Sequence, residues 1–417
     1  MTVARARHHP DPVSAAPCAP RWPRVSPGWA GRAARVLTAT ASVLALTVGA
    51  LVLVPASALA DDVITTQEYF SYYHLDTARA KGYTGKGVTI ALIDGPVDTS
   101  APELKGANIT DKSRCTVEAA ISNKSHGTGM AEILVARDFG VAPDAALLTY
   151  QVFSKDDPSA GTCEVGGKRI NSIAHLINQA IDDGAQVISI AHGSSSQSDE
   201  LKWAVSRAMS RGVIVVASVG NNGRDENDTH LSQWSGVVGV SAITSDGKFA
   251  NYSSWGNGVT TAAFGNPVTS LNYETGKNEE TYGTSNSTAL VAGMLALARQ
   301  KWPEATANQT LQVLTHTGLN PNHEWNKYTG YGAANIGPLV NTDPSQYPDE
   351  NPLAQKEGGS KPTTSEVQDY ADGLIPPPTN FTLDASYSYR GTDETLLWLP
   401  ENATPIHLGT SPKYHRK

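Results

Sequence analysis

The sequence predicts an α/β domain with a mostly parallel central sheet, and two observations carry that prediction. Short apolar runs rich in β-branched residues recur between residues 88 and 243, as expected of strands covered on both faces. Segments of helical period lie between them, and strand–helix alternation is the signature of right-handed parallel crossovers. No internal repeat competes with this reading.

Residues 1–35 hold six arginines and one acid, Asp11, and the uncharged run VLTATASVLALTVGALVLV covers 36–54. Ala58-Leu59-Ala60 follows, so the spacing predicts a secretory signal peptide over 1–60, cut after Ala60. The rival is an uncleaved anchor, because about 19 apolar residues can just span a bilayer. The small-residue site favours cleavage. Elsewhere no apolar run reaches that length, so no stable membrane association is expected afterwards.

The 417 residues carry a formal charge of −8, and −13 without the six arginines and one acid of 1–60. An acidic secreted chain without basic clusters is no nucleic-acid binder. Of three cysteines, Cys18 leaves with the leader. Cys115 and Cys163 remain as an even pair in an oxidising compartment, which predicts a disulfide; two free buried thiols are the alternative.

Strands are expected at VTIALI (88–93), ALLTYQVF (146–153), QVISIA (186–191), VIVVAS (213–218) and VVGVSAI (237–243). Ile173, Leu176, Ile177, Ala180 and Ile181 follow helical spacing up to Gly184. Leu201, Ala204, Val205, Ala208 and Met209 do the same up to Gly212. Two later helices are expected over Ser285–Lys301 and Ala305–Thr317, and 328–340 closes the domain. Residues 342–417 are proline-rich and read as an extended, partly disordered tail, with a short hairpin expected over 385–399. The expected organisation is therefore a leader (1–60), a domain (61–341) and a tail (342–417).

Open α/β sheets place functional groups at the carboxyl ends of their strands. Asp94 stands at one such end, where a cap, a ligand-binding carboxylate and a catalytic acid are all open readings. His126, in SHGTGMAEILVARD, is placed at a helix start, as a neutral base or as a packing histidine. Asn221 ends VVASVGNNG, where a turn asparagine is the ordinary reading. Ser285, in GTSNSTALVAG, is a helix cap or a nucleophile at a helix N-terminus.

Taken together, Asp94 after ALI, His126 in HGTGMA, Asn221 in VGN and Ser285 in GTSNSTALVAG resemble the subtilisin-like serine peptidases, over about residues 70–341. The resemblance implies a three-layer subtilisin-like α/β fold and a peptidase that needs no metal or cofactor. It implies Ser285 as nucleophile, His126 as general base, Asp94 as its orienting acid and Asn221 as oxyanion donor. Ala191-His192-Gly193 takes the place of the family's substrate strand, and Gly220 borders it. His192 reads there as a subsite residue or as a packed histidine. The expected partner is a protein or peptide substrate, and the expected state is a monomer.

The departures are specific. Gly95 and Pro96 replace the hydroxyl residue and glycine that follow the family's aspartate, which removes a hydrogen bond to Asp94. The stretch DGPVD resembles subtilases that mature ribosomally made peptides. The connection EILVARDFGVAP is too short for the family's common calcium loop, and the 27 residues of 61–87 are too few for a folding prodomain. Asp225, Glu226 and Asp228 are expected to be a solvated charge run, with a preference for basic substrates as the alternative. The rival functions are a binding protein on an inactive scaffold and an acyl-transferring peptide cyclase. No Gly-x-Ser-x-Gly is present to suggest an esterase of the α/β-hydrolase kind.

Overall fold

Every strand pairing in the central sheet is parallel, as the doubly apolar runs require. The structure, a computed structural model, describes residues 63–115, 117–152, 163–165, 168–192, 198–226, 230–320, 324–356 and 360–374. The leader, Gly193, Asp228 and the hairpin expected over 385–399 lie outside the described residues.

In chain order, α1 (Glu68–Tyr72) and α2 (Leu75–Ala80) precede β1 (Thr89–Asp94) and β2 (Asn108–Asp111). Helix α3 (Ile121–Val135) leads to β3 (Ala146–Gln151) and a small antiparallel hairpin, β4 (Glu164–Val165) with β5 (Lys168–Arg169). Then α4 (Ile173–Asp182), β6 (Val187–Ile190), α5 (Asp199–Ser210), β7 (Ile214–Ser218) and β8 (Val237–Thr244) alternate as the pattern predicts. After β9 (Val259–Asn266) comes an antiparallel hairpin of β10 (Val268–Asn272) and β11 (Lys277–Thr281). Helices α6 (Thr284–Lys301), α7 (Ala307–His316), α8 (Ile336–Asn341) and α9 (Thr364–Ala371) complete the described chain.

The seven-stranded sheet runs β2-β3-β1-β6-β7-β8-β9. The chain leaves β1 for one side, then returns to build the other. That reversal at β1 is the kind of switch point beside which open α/β sheets place their sites. Alternate residues of β1 enter opposite layers. Ile90 and Leu92 belong to the core layer that holds α3 and α6, whereas Ala91 and Ile93 belong to the layer that holds α4.

Local chemistry sets the helix ends. Ser172 and Ser198 cap α4 and α5 by accepting from the N–H groups of His175 and Leu201. Helix α6 is buried all round from Thr284 to Ala298, so its small and apolar residues show no polar face.

Beyond the expected domain boundary, described residues up to 374 dock on the sheet domain. Lys356 is buried, with its Nζ donating to the carbonyls of Ser232 and Gly258, and burial pushes its pKa down to about 7. Tyr370 of α9 stacks on Trp203 of α5, and Glu366 pairs with Lys202 at 2.9 Å. Cys115 and Cys163 form a disulfide with Cα atoms 5.9 Å apart, beside Val117 and Ile170.

Candidate active site

Strand register brings distant segments together. Asp94 ends β1, and the pairing of Ile93 with Ile190 sets Ala191 beside it. Asn221 follows β7, the next strand over. Asp94 is fully buried. Its Oδ1 accepts from the Gly95 N–H at 2.6 Å and from His126 Nδ1 at 2.7 Å. Since the carboxylate can only accept when ionised, Nδ1 carries the proton, and Nε2 is left as the basic nitrogen. Asp94 Oδ2 is buried with no hydrogen-bond partner among the described residues, and Gly95 offers it no hydroxyl.

His126 lies in the second turn of α3, because the helix begins at Ile121, five residues earlier. This corrects the expected helix-start position, and with it the argument from the helix dipole. The ring is placed instead by close backbone packing. A Cβ on Gly127 would stand 2.5 Å from the Gly95 carbonyl oxygen, so the loop after β1 and α3 touch main chain to main chain. Burial alone would lower the His126 pKa, but the charge and hydrogen bond of Asp94 outweigh it and raise the imidazole above its ordinary value. For Asp94, burial is likewise opposed: the neighbouring His126 and His192 hold its carboxyl well below the usual range.

Ser285 is the second residue of α6, not its cap, which is Gly283. Its hydroxyl donates to the Ala191 carbonyl at 3.0 Å, and not to His126. Such slack is common in substrate-free sites. His126, Asn221 and Ser285 line one cleft of about 260 Å³, together with Met130, Val268 and Tyr282.

Asn221 is oriented by its neighbour. Its Oδ1 accepts from the Thr284 N–H at 2.8 Å and from Thr284 Oγ1 at 3.0 Å. A backbone N–H can only donate, so the amide oxygen is fixed on that side and Nδ2 is left on the other. Thr284 is therefore a positioning residue that motif reading passed over, although it stands inside GTS.

Of the expected subsite residues, Ala191 is buried at the strand end and accepts the Ser285 hydroxyl, while Gly193 lies outside the described residues. Gly220 has φ of +103°, and a Cβ there would stand 2.4 Å from Glu226 Oε2. His192 has its Nε2 3.5 Å from Asp94 Oδ1, and its ring centroid is 5.5 Å from that of His126. Sequence reasoning missed this contact.

The expected solvated run needs correction at Glu226. Asp225 is exposed, but Glu226 is only 6% exposed. Burial opposes its ionisation, yet bonds from Ser254 and Asn222, with His230 and Arg224 nearby, hold its pKa below the ordinary value.

Comparison with known proteins bears on the family and the fold. A family model described as the subtilase family matches residues 85–332. The thermostable alkaline protease of Halalkalibacterium halodurans is 30% identical over 253 residues, covering 59% of this chain and 66% of that protein. Subtilisin DY of Bacillus licheniformis is 29% identical over 272 residues, covering 63% of this chain and 93% of that protein. Among solved structures, MycP1 from Mycobacterium smegmatis superposes with a TM-score of 0.58 at 26% identity, covering 74% of this chain and 91% of that one. With the family model spanning more than half of its length, the chain belongs to the subtilase family, a family of serine peptidases.

Proposed function

We propose that this protein is a secreted serine endopeptidase in which Ser285, His126 and Asp94 act as the triad and Asn221 as the oxyanion donor. One observation carries the reading: the buried Asp94–His126 hydrogen bond stands at a cleft that Ser285 and Asn221 also line. Asp94 keeps the Nδ1 proton in place, so His126 Nε2 receives the Ser285 proton once the hydroxyl turns from the Ala191 carbonyl. Oγ then attacks the peptide carbonyl. The developing oxyanion meets Asn221 Nδ2 and the Ser285 N–H at the start of α6. His126 returns its proton to the leaving amine, and water repeats the sequence on the acyl-enzyme.

The proposed substrate is an extended protein or peptide lying along Ala191-His192-Gly193, with Gly220 on its border. The predicted leader and the Cys115–Cys163 disulfide support action outside the cell, and the proposed state is a monomer free of the membrane. The proposed peptidase domain is 61–341, with 342–417 as an extension whose described residues up to 374 dock on it. No helix among the described residues is long and apolar enough to cross a membrane.

DGPVD supports a second reading, in which the acyl-enzyme of a maturing peptide is released to an amine instead of water. Mass spectrometry of the products separates the two: hydrolysis adds water, and transfer joins two peptides or closes a ring. Replacing Ser285 by alanine abolishes both. A binding protein on an inactive scaffold would give neither product from the wild-type chain.

A further inference from the structure

Two imidazoles converge on one carboxylate oxygen at this site. Asp94 Oδ1 lies 2.7 Å from His126 Nδ1 and 3.5 Å from His192 Nε2. One ligand atom from each of the three residues can be chosen such that all lie within 4.8 Å of one another. His192 Nε2 is itself buried, and beyond this 3.5 Å approach to Asp94 it has no hydrogen-bond partner among the described residues. A buried nitrogen whose one polar neighbour is a long 3.5 Å contact is poorly satisfied unless something takes up its lone pair or its proton.

From this juxtaposition we propose that Asp94, His126 and His192 form a binding site for a zinc-type divalent transition metal, and that occupation of the site silences the enzyme. Two imidazoles and one carboxylate suit Zn²⁺, whose bonds to nitrogen and oxygen are about 2.0–2.2 Å. In a tetrahedral site such bonds set ligand atoms about 3.3–3.5 Å apart. The observed spacings bracket that range, so rotation of the two rings brings all three donors onto one ion. Calcium and magnesium are excluded as ligands of choice, because they take oxygen donors.

The ion takes the Nδ1 lone pair of a neutral His126, whose single proton shifts through solvent from Nδ1 to Nε2; no net proton is lost, and nothing is oxidised or reduced. With Nδ1 on the metal and the proton on Nε2, Asp94 no longer stabilises an imidazolium, and His126 has no lone pair left to accept the proton of Ser285. Silencing rests on the triad proposed above, whereas binding does not. No ligand set of this kind is legible in the sequence, since the three residues come from β1, α3 and the end of β6.

The test uses the full chain, stripped by a chelator, as wild type and as Ser285→Ala. Both are titrated with Co²⁺, whose four-coordinate complexes absorb strongly in the visible, and the bound Co²⁺ is then displaced by Zn²⁺. One equivalent is expected to bind in each. His192→Gln and His192→Leu, both checked for folding by thermal melting, are expected to weaken binding by at least about tenfold, as loss of a supporting group commonly does. In peptidase assays Zn²⁺ is expected to lower the wild-type rate reversibly. The His192 variants are expected to need at least about tenfold more free Zn²⁺, each relative to its own metal-free rate. No binding by Ser285→Ala at millimolar metal, or equal affinity in the folded His192 variants, overturns the site. Tight binding without loss of peptidase rate overturns the silencing. A metal-free wild type with no peptidase activity is a failure of the triad reading, and the Co²⁺ titration still decides the site.

Discussion

Replacing Thr284 by valine removes one of the two donors that fix Asn221 while keeping the side chain's shape. The hydroxyl has one proton, and it lies 3.0 Å from Asn221 Oδ1 against 3.3 Å from the Gly220 carbonyl, so the asparagine is its better acceptor. Thr284 is fully buried, so no water replaces the lost bond. A neutral buried hydrogen bond is worth about 0.5–1.5 kcal/mol net, which bounds the stability effect. The catalytic effect has a separate ceiling, the roughly 2.7–4 kcal/mol that an oxyanion donor supplies. With the Thr284 N–H still holding Oδ1 at 2.8 Å, about 1–2 kcal/mol of that is expected to be lost, or about 5–30-fold in kcat. KM should stay near its wild-type value, because the donor acts on charge that appears only in the transition state. The assay is steady-state hydrolysis of a peptide substrate, run on both single variants and on the pair with Asn221→Ala. Once Asn221 is gone, Thr284→Val should cost kcat little further. Fully additive losses, or a lowered melting temperature with kcat intact, would refute the idea that Thr284 works through Asn221.

Asn221→Ala itself should lower kcat by about 10²–10³ with little change in KM, a magnitude taken over from a subtilisin. Because Asp94 raises the His126 pKa and the base must be neutral, the acid limb of kcat/KM should lie above the ordinary imidazole value, and Asp94→Asn should move it down in a pH–rate profile. The Cys115–Cys163 bridge spans 48 residues and should stabilise by about 4 kcal/mol through the unfolded chain; reduction should lower the melting temperature before it touches kcat. Two free thiols titrated in the denatured, non-reduced protein would contradict that. Gly220→Ala should cost roughly 1–3 kcal/mol from the left-handed backbone alone, plus displacement of Glu226, read as a lowered urea midpoint together with lost activity.

The strands found from sequence are those whose two faces are both apolar. VTIALI and VIVVAS show it directly, and they became β1 and β7. Strand β2 is four residues, Asn-Ile-Thr-Asp, mostly exposed at the sheet edge, and carries no such run. Strand β9 is Thr- and Ala-rich, and its burial comes from partners far along the chain, such as the pairing of Ala262 with Ala333. The start of α3 was misplaced because Ile121-Ser-Asn-Lys-Ser has no apolar period to announce a helix. At the site, Asp94, His126, Asn221 and Ser285 were legible as an ordered set of motifs. The approach of His192 to Asp94 was not, since it depends on β6 lying against β1 and on a side-chain direction. Glu226 read as solvated because it sits among charges; its burial follows from bonds to Ser254 and Asn222, which composition does not express.

The central claim is that Ser285 is a nucleophile activated by His126. Its most direct measurement is covalent labelling of the folded protein by an active-site organophosphorus probe, followed by peptide mapping. The account predicts one adduct per chain, on Ser285 Oγ, with labelling lost in His126→Ala although the serine is still present. An unlabelled wild-type chain, an adduct on another residue, or labelling undiminished in His126→Ala would contradict it.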